Sequence, residues 1–195
     1  MLAAAILAAG ESQRMGRPKA LLPYREGTFV EHLLDATRHP RVGLTRVVLG
    51  AEAEGVLKKL ALEPTIVVLN QEWRRGQLSS IQAAVRSLPA GKTEGLLLCP
   101  VDHPLVTPAL IAILIERFDA TGKAIVLPTY LGRRGHPVIF RSTLYEELLT
   151  AAEDVGARAV VWAHPTEVLE VPTDEEGVIL NLNDPDTLQR ALPKS

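Results

Sequence analysis

Two glycines, Gly10 and Gly16, bracket a polar loop that carries Arg14, Arg17 and Lys19 and follows directly on the apolar run Leu7-Ala8-Ala9. Glycine lets a backbone come close to a ligand, and successive amides in such a turn form a nest that binds anions. Arg14 and Lys19 would add positive charge, so the chemistry this loop suits is the holding of a polyphosphate. A basic loop that is merely solvated has the same composition. Two familiar phosphate motifs are excluded. The P-loop places Lys and then Ser or Thr straight after its second glycine, and the dinucleotide fingerprint has three glycines.

Four further groups carry chemistry. Asp102, in Cys99-Pro100-Val101-Asp102-His103-Pro104, offers a hard carboxylate to magnesium, or caps the turn before Pro104. Asn70 opens a segment that runs through Trp73 and Gly76 to Ser79 and Ser80, and Ser79-Ser80-Ile81-Gln82 fits a capping box at a helix start. Arg133, Arg134 and His136 precede the apolar run Val138-Ile139-Phe140. They suit either an anionic ligand or solvent. Asn183, in Asn181-Leu182-Asn183-Asp184-Pro185, can lend an amide oxygen to a metal, or Asn183 or Asp184 can start a last helix. Zinc and serine-hydrolase chemistry fail on counting: there is one cysteine, no G-x-S-x-G elbow, and His32, His39, His103, His136 and His164 are scattered.

Elements must place these residues together. Short apolar runs over residues 3–8, 46–49, 65–69, 95–99 and 124–127 alternate with amphipathic stretches over 29–38, 52–60, 80–88 and 108–118. That pattern predicts a mostly parallel sheet covered by helices on both faces. Thr107 is the expected cap of the fourth helix, with Pro108 at its first position. No strand or long helix is expected between the first run and Thr28. Later, 136–140 reads as a strand, 142–150 and 156–162 as helices, 168–171 and 178–180 as a final strand pair, and 185–191 as a terminal helix capped by Asp184. In open α/β sheets ligands bind beyond the carboxyl ends of the strands, which are the loops after Ala8, Leu69, Cys99 and Leu127.

With 195 residues, 47% of them hydrophobic, the chain suits one domain, 1–195. A net charge of −2 supplies no field for nucleic acid or an anionic membrane. The single cysteine, Cys99, stands in an apolar run, which suits a small buried hydrophobe in a reducing cytoplasm. The apolar N-terminus lacks the basic segment of a signal peptide, and no run reaches the ~20 residues of a membrane span.

The stretch Leu7-Ala8-Ala9-Gly10-Glu11-Ser12-Gln13-Arg14-Met15-Gly16-Arg17-Pro18-Lys19 closely resembles the signature of the nucleotidyltransferases that make molybdopterin dinucleotides, whose relatives act on sugar phosphates and methylerythritol phosphate. Every defined position of Leu-Ala-(Ala/Gly)-Gly-x-Ser-x-Arg-Met-Gly-x-x-Lys matches. The resemblance implies a three-layer α/β/α Rossmann-like sandwich with a mostly parallel mixed sheet, of the nucleotide-diphospho-sugar transferase type. It gives nucleotide binding to Leu7, Ala8, Ala9, Gly10, Ser12, Arg14, Lys19, Asn70, Ser79, Ser80 and Pro100. Lys19, Arg14 and Asp102 become the catalytic set, Asp102 and Asn183 the ligands of Mg2+, and Arg133, Arg134 and His136 the acceptor contacts. The segment Glu153-Asp154-Val155-Gly156-Ala157-Arg158 is similar to a family motif that begins with glycine, which Glu153 replaces. Within the family, Ala9 and Gly135-His136-Pro137 favour the cytidylyltransferases, whereas the Asn-x-Asn ending resembles the guanylyltransferases. The implied reaction moves CMP from CTP to the molybdopterin cofactor, with a molybdenum hydroxylase as client of the product. A guanylyltransferase, a transferase for sugar phosphates or other small acceptors, and a non-catalytic molybdopterin carrier are the alternatives.

Overall fold

All seven residues of the first strand, β1 (Leu2–Ala8), are buried, because they alternate between two apolar layers. Leu2, Ala4, Ile6 and Ala8 enter one core, and Ala3, Ala5 and Leu7 the other. A period of two sends successive side chains to opposite faces, so a strand buried on both sides must be apolar throughout. In this computed structural model, which describes residues 1–12, 15–183 and 187–189, the remaining strands are β2 (Pro23–Tyr24), β3 (Gly27–Thr28), β4 (Val42–Leu49), β5 (Val67–Leu69), β6 (Gly95–Pro100), β7 (Ile125–Tyr130), β8 (Arg133–Arg134), β9 (Val138–Arg141) and β10 (Val168–Pro172). The main sheet runs β10-β7-β9-β6-β1-β4-β5, with β8 paired to β7. All of its neighbours are parallel except the pairs made by β9 and β8.

The helices are α1 (Phe29–Ala36), α2 (Ala53–Lys59), α3 (Gln77–Arg86), α4 (Pro108–Thr121), α5 (Tyr145–Thr150) and α6 (Arg158–Ala163). Phe29 and Leu33 of α1, Val56 of α2 and Leu110, Leu114 and Phe118 of α4 fill the first core. Ile81 and Val85 of α3, Leu148 of α5 and Val160 of α6 fill the second. This is the three-layer, mostly parallel sandwich that the alternating runs predict. The ends of α4 are set locally, as expected. The Thr107 hydroxyl accepts from the Leu110 N–H at 3.1 Å, Pro108 follows, and Gly122, with φ of +66°, closes the helix.

Four expectations fail. Residues 178–180 form no strand. Instead a short 3-10 turn, Glu176–Val178, presses against the end of the sheet, Val178 is fully buried, and its carbonyl accepts from the His136 N–H at 2.8 Å. The apolar run serves packing across the sheet end rather than pairing. Ahead of α1, where no strand is expected, β2 and β3 form a two-residue hairpin and Lys19–Leu21 a 3-10 turn. Ser79 is not a cap: α3 begins at Gln77 from Gly76, whose φ of +93° turns the chain into the helix earlier than the serines would. Residues 142–144 are a 3-10 turn that precedes α5. The expected terminal helix over 185–191 and its cap Asp184 fall largely outside the described residues.

Candidate active site

Parallel strands end at one edge of the sheet, and that edge collects the loops. Because β9 is antiparallel, its amino end lies beside the carboxyl end of β6, with Leu98 opposite Val138. His136, just before β9, is thereby delivered next to Asp102, just after β6. A cavity of about 340 Å3 opens there, lined by Leu7, Ala8, Ala9, Gly10, Ser12 and Lys19 from the first loop, by Ser80, and by Pro100, Asp102 and His136. A Cβ on Gly10 would meet no protein atom within 4 Å, so packing does not require glycine at that position; its bare backbone leaves the cavity open.

The cavity is polar at its floor. Ser12, in the left-handed region at φ +53°, accepts from the Lys19 N–H through its hydroxyl at 3.0 Å and so folds the loop back on itself. The Lys19 ammonium donates to Asn183 Oδ1 and lies 3.8 Å from Asp102 Oδ2. Its side chain is only 15% exposed, and that of Asp102 20%. The Leu182 N–H donates to the Asp102 carbonyl at 2.8 Å, which fastens the C-terminal segment over the site. His103 and His136 meet with ring centroids 4.6 Å apart, and among the described residues the buried Nδ1 atom of each lacks a partner at hydrogen-bond geometry, although the backbone of Gly177 and Val178 lies beside the His103 ring. Burial, and then the neighbouring His103, push His136 down to about 4. Burial likewise lowers His103, against the opposing pull of Asp102. At neutral pH His136 is therefore an uncharged hydrogen-bonding group.

Asp102 and Asn183 turn two hard oxygens toward one cation, at present the Lys19 ammonium. Among the described residues no three His, Cys, Asp or Glu side chains cluster to make a metal cage. One carboxylate and one amide oxygen fit a Mg2+ that takes its other ligands from phosphate and water.

The remaining predicted residues are distributed unevenly. Asn70 and Ser79 are buried behind the wall. The Asn70 amide donates to Ser79 Oγ at 2.8 Å and Ser80 Oγ at 3.1 Å, while the Ser79 hydroxyl donates to the Gly76 carbonyl. They shape the loop, and Ser80 alone of the three faces the cavity. Arg134 lines a second, larger cavity of about 540 Å3 and pairs with Glu170 at 2.8 Å, whereas Arg133 is exposed and lines neither. Arg14 lies outside the described residues.

The two cavities share Leu7, Gln77, Pro100 and His136, so they are lobes of one cleft. The larger lobe is bounded by Asp154, Arg158 and the exposed Trp162. Sequence reasoning missed Gln77, His103 and Gly50. A Cβ on Gly50 would fall 2.5 Å from the Ala9 carbonyl oxygen and 2.7 Å from Trp73 Cβ, so only glycine lets β4 brace both loops. Gly135 is similarly pressed, 2.5 Å from the Val178 oxygen. The glycines were visible, but nothing local marked these two as the sites of close approach.

Known proteins similar to this chain share a family but differ in the activities their names give. The model of the MobA-like NTP transferase domain matches residues 4–168. The chain is 34% identical to a nicotine blue oxidoreductase of Paenarthrobacter nicotinovorans, over 82% of this chain and 81% of that protein. It is 26% identical to the molybdenum cofactor cytidylyltransferase of Escherichia coli, over 93% and 90% of the two chains. With a probable molybdenum cofactor guanylyltransferase of Mycobacterium ulcerans the identity is 31%, over 92% and 84%. The crystal structure of Rv0371c from Mycobacterium tuberculosis superposes with a TM-score of 0.86 at 31% identity, covering 98% of this chain and 96% of that one. Among the described residues no helix is long and apolar enough to cross a membrane.

Proposed function

This chain belongs to the MobA-like NTP transferase family, and from that premise we propose that it transfers CMP from CTP to the phosphate of molybdopterin, with release of pyrophosphate. The observation that carries the reading is the meeting of Lys19, Asp102 and Asn183 in one lobe that opens into a larger second lobe through His136. The smaller lobe takes the triphosphate, and the larger one the acceptor.

An oxygen of the acceptor phosphate attacks the α-phosphorus in line. The new P–O bond forms as the bond from the α-phosphorus to the bridging oxygen breaks, and the electron pair leaves on pyrophosphate. A phosphate nucleophile is already ionised, so no strong base is required. The protein's contribution is positioning and charge. Lys19 leaves Asn183 and Asp102 for the α-phosphate oxygens, and Arg14 joins it on the triphosphate. Mg2+ held by Asp102 and Asn183 would neutralise charge on the phosphate oxygens. The neutral His136 imidazole, at the junction, donates an N–H to the acceptor phosphate, and Arg134, in the wall of the larger lobe, adds charge; Arg133 lines neither lobe. Gly10 and the backbone of Ala8 and Ala9 cradle the phosphates, and Ser80 faces the base and ribose.

The preference for CTP over GTP rests on Ala9 and on Gly135-His136-Pro137, against the Asn181-Leu182-Asn183 ending. We place the reaction in the cytoplasm, with a molybdenum hydroxylase as client. Pyrophosphate release with CTP, GTP, ATP or UTP, molybdopterin cofactor and Mg2+ is the test, and CTP should give the largest kcat/KM. GTP in that place would reassign the base, and release with sugar phosphates alone would reassign the acceptor. No release with any pairing would favour the non-catalytic carrier.

A further inference from the structure

Gln77 is the polar residue that the two lobes share besides His136. It is exposed at the first position of α3, and among the described residues its amide has no hydrogen-bond partner. Just before it, Gly76 takes φ +93° and a 3-10 turn, Trp73–Arg75, forms the tip of the loop. The base of this loop is pinned by Asn70 to Ser79 and Ser80. The tip is held differently. The Arg75 guanidinium donates through Nε to Glu153 Oε1 at 2.8 Å and through Nη2 to the same oxygen, while its Nη1 donates to Glu72 Oε1 at 2.7 Å within the turn. Glu153 belongs to the wall of the acceptor lobe, and it is the position where the segment departs from the motif it resembles. Arg75 holds the Glu153 carboxyl below the usual carboxylate range.

We infer that Arg75 and Glu153 form a latch between the nucleotide-side loop and the acceptor wall, and act as positioning residues that hold Gln77 at the junction where the acceptor phosphate must lie. This rests on the two-substrate reading of the cleft. An exposed ion pair adds little to global stability, since water and salt screen it and side-chain ordering opposes it. Its effect is local. With Gly76 as a hinge, the pair decides whether the Gln77 amide is presented to both lobes or swings with the tip. A weak latch also opens readily for substrate entry.

The test combines kinetics with hydrogen exchange on the full-length protein. Glu153→Gln and Arg75→Ala should each raise the KM for molybdopterin about two- to five-fold, the range of an exposed pair, with kcat little changed. Gln77→Ala should give the same phenotype, and adding Glu153→Gln to it should bring no further loss, because both act through one group. High salt should raise the KM of the wild type by a larger factor than that of Glu153→Gln, because salt screens the latch as well as the phosphate contacts that both proteins share. Exchange over residues 72–77 should quicken in Glu153→Gln and Arg75→Ala. Independent, additive effects of Gln77→Ala and Glu153→Gln, or exchange that stays at the wild-type rate in both latch variants, would overturn the inference. If the wild type releases no pyrophosphate with any substrate pair, the functional reading fails by itself, and the exchange rates still decide whether the latch exists.

Discussion

The two ends of the sheet are both crowded with charge, yet they dispose of it in opposite ways. At the amino edge, the Arg41 guanidinium pairs with Asp119 at 2.7 Å and with Glu94 at 2.8 Å, and the N-terminal amine pairs with Glu94 at 2.5 Å. Each of these groups is exposed or half-exposed and has partners within the protein. At the carboxyl edge, Lys19 and Asp102 are mostly buried, and among the described residues the Nδ1 atoms of two neighbouring imidazoles find no partner. Leaving buried polar atoms unpaired costs stability, and such a cost persists where a ligand is to supply the missing partner. The saturated end has the character of a structural clamp, and the unsaturated end is where we propose the chemistry.

The two ends should differ most at Lys19. Lys19→Ala should lower turnover by at least ~100-fold, comparable with the loss of a main electrostatic donor at a transition state, while the protein still binds triphosphate. Near-normal turnover would remove the carboxyl edge from the chemistry. A smaller effect separates the two ends by pH. His136, depressed by burial to about 4 from its ordinary 6.5, lends full stability above pH 6.5 and loses it as the pH falls through 4. Glu94, held at about 2 by Arg41 and then by the N-terminal amine, against an ordinary 4.5, lends full stability above pH 4.5 and loses it as the pH falls through 2. In chemical denaturation at stepped pH, His136→Gln should lessen the wild-type decline between pH 6.5 and 4, leaving the share that His103 and His32 contribute. Glu94→Gln should flatten it only below pH 4.5. Coincident curves for the two variants would erase the distinction. The smallest effect belongs to Arg41→Ala, which should cost at most about 1 kcal/mol in urea unfolding and leave pyrophosphate release unchanged, because its partners are exposed. A marked loss of turnover in that variant would show that the amino edge reaches the site.

Much of the architecture was legible because its signals are local. Thr107, Pro108 and Gly122 state where α4 starts and stops within a few residues of each end. The uninterrupted apolar run of β1 says that both faces of the strand are covered. Where a local signal had two uses, the tertiary context chose between them. Val178 could pair or pack, and the close approach of Gly135 made it pack. Ser79 could cap or support, and the hinge at Gly76 moved the helix start upstream so that Ser79 holds Asn70 instead. Gln77, His103 and Gly50 carried no distinguishing pattern, since what makes each matter is a neighbour far away in the chain.

By itself the sequence determined the inventory: a glycine-rich loop with Lys19, a carboxylate at the end of a buried strand, and a run of β and α elements that can only stack as a covered sheet. Those properties depend on residue type and on spacings of a few positions. The tertiary structure alone decided the assembly. The antiparallel course of β9 carries His136 to Asp102, the C-terminal segment places Asn183 on Lys19, and strand order brings Arg75 to Glu153 across 78 positions of sequence. Such contacts follow from the direction and order of strands, which no short stretch of chain encodes.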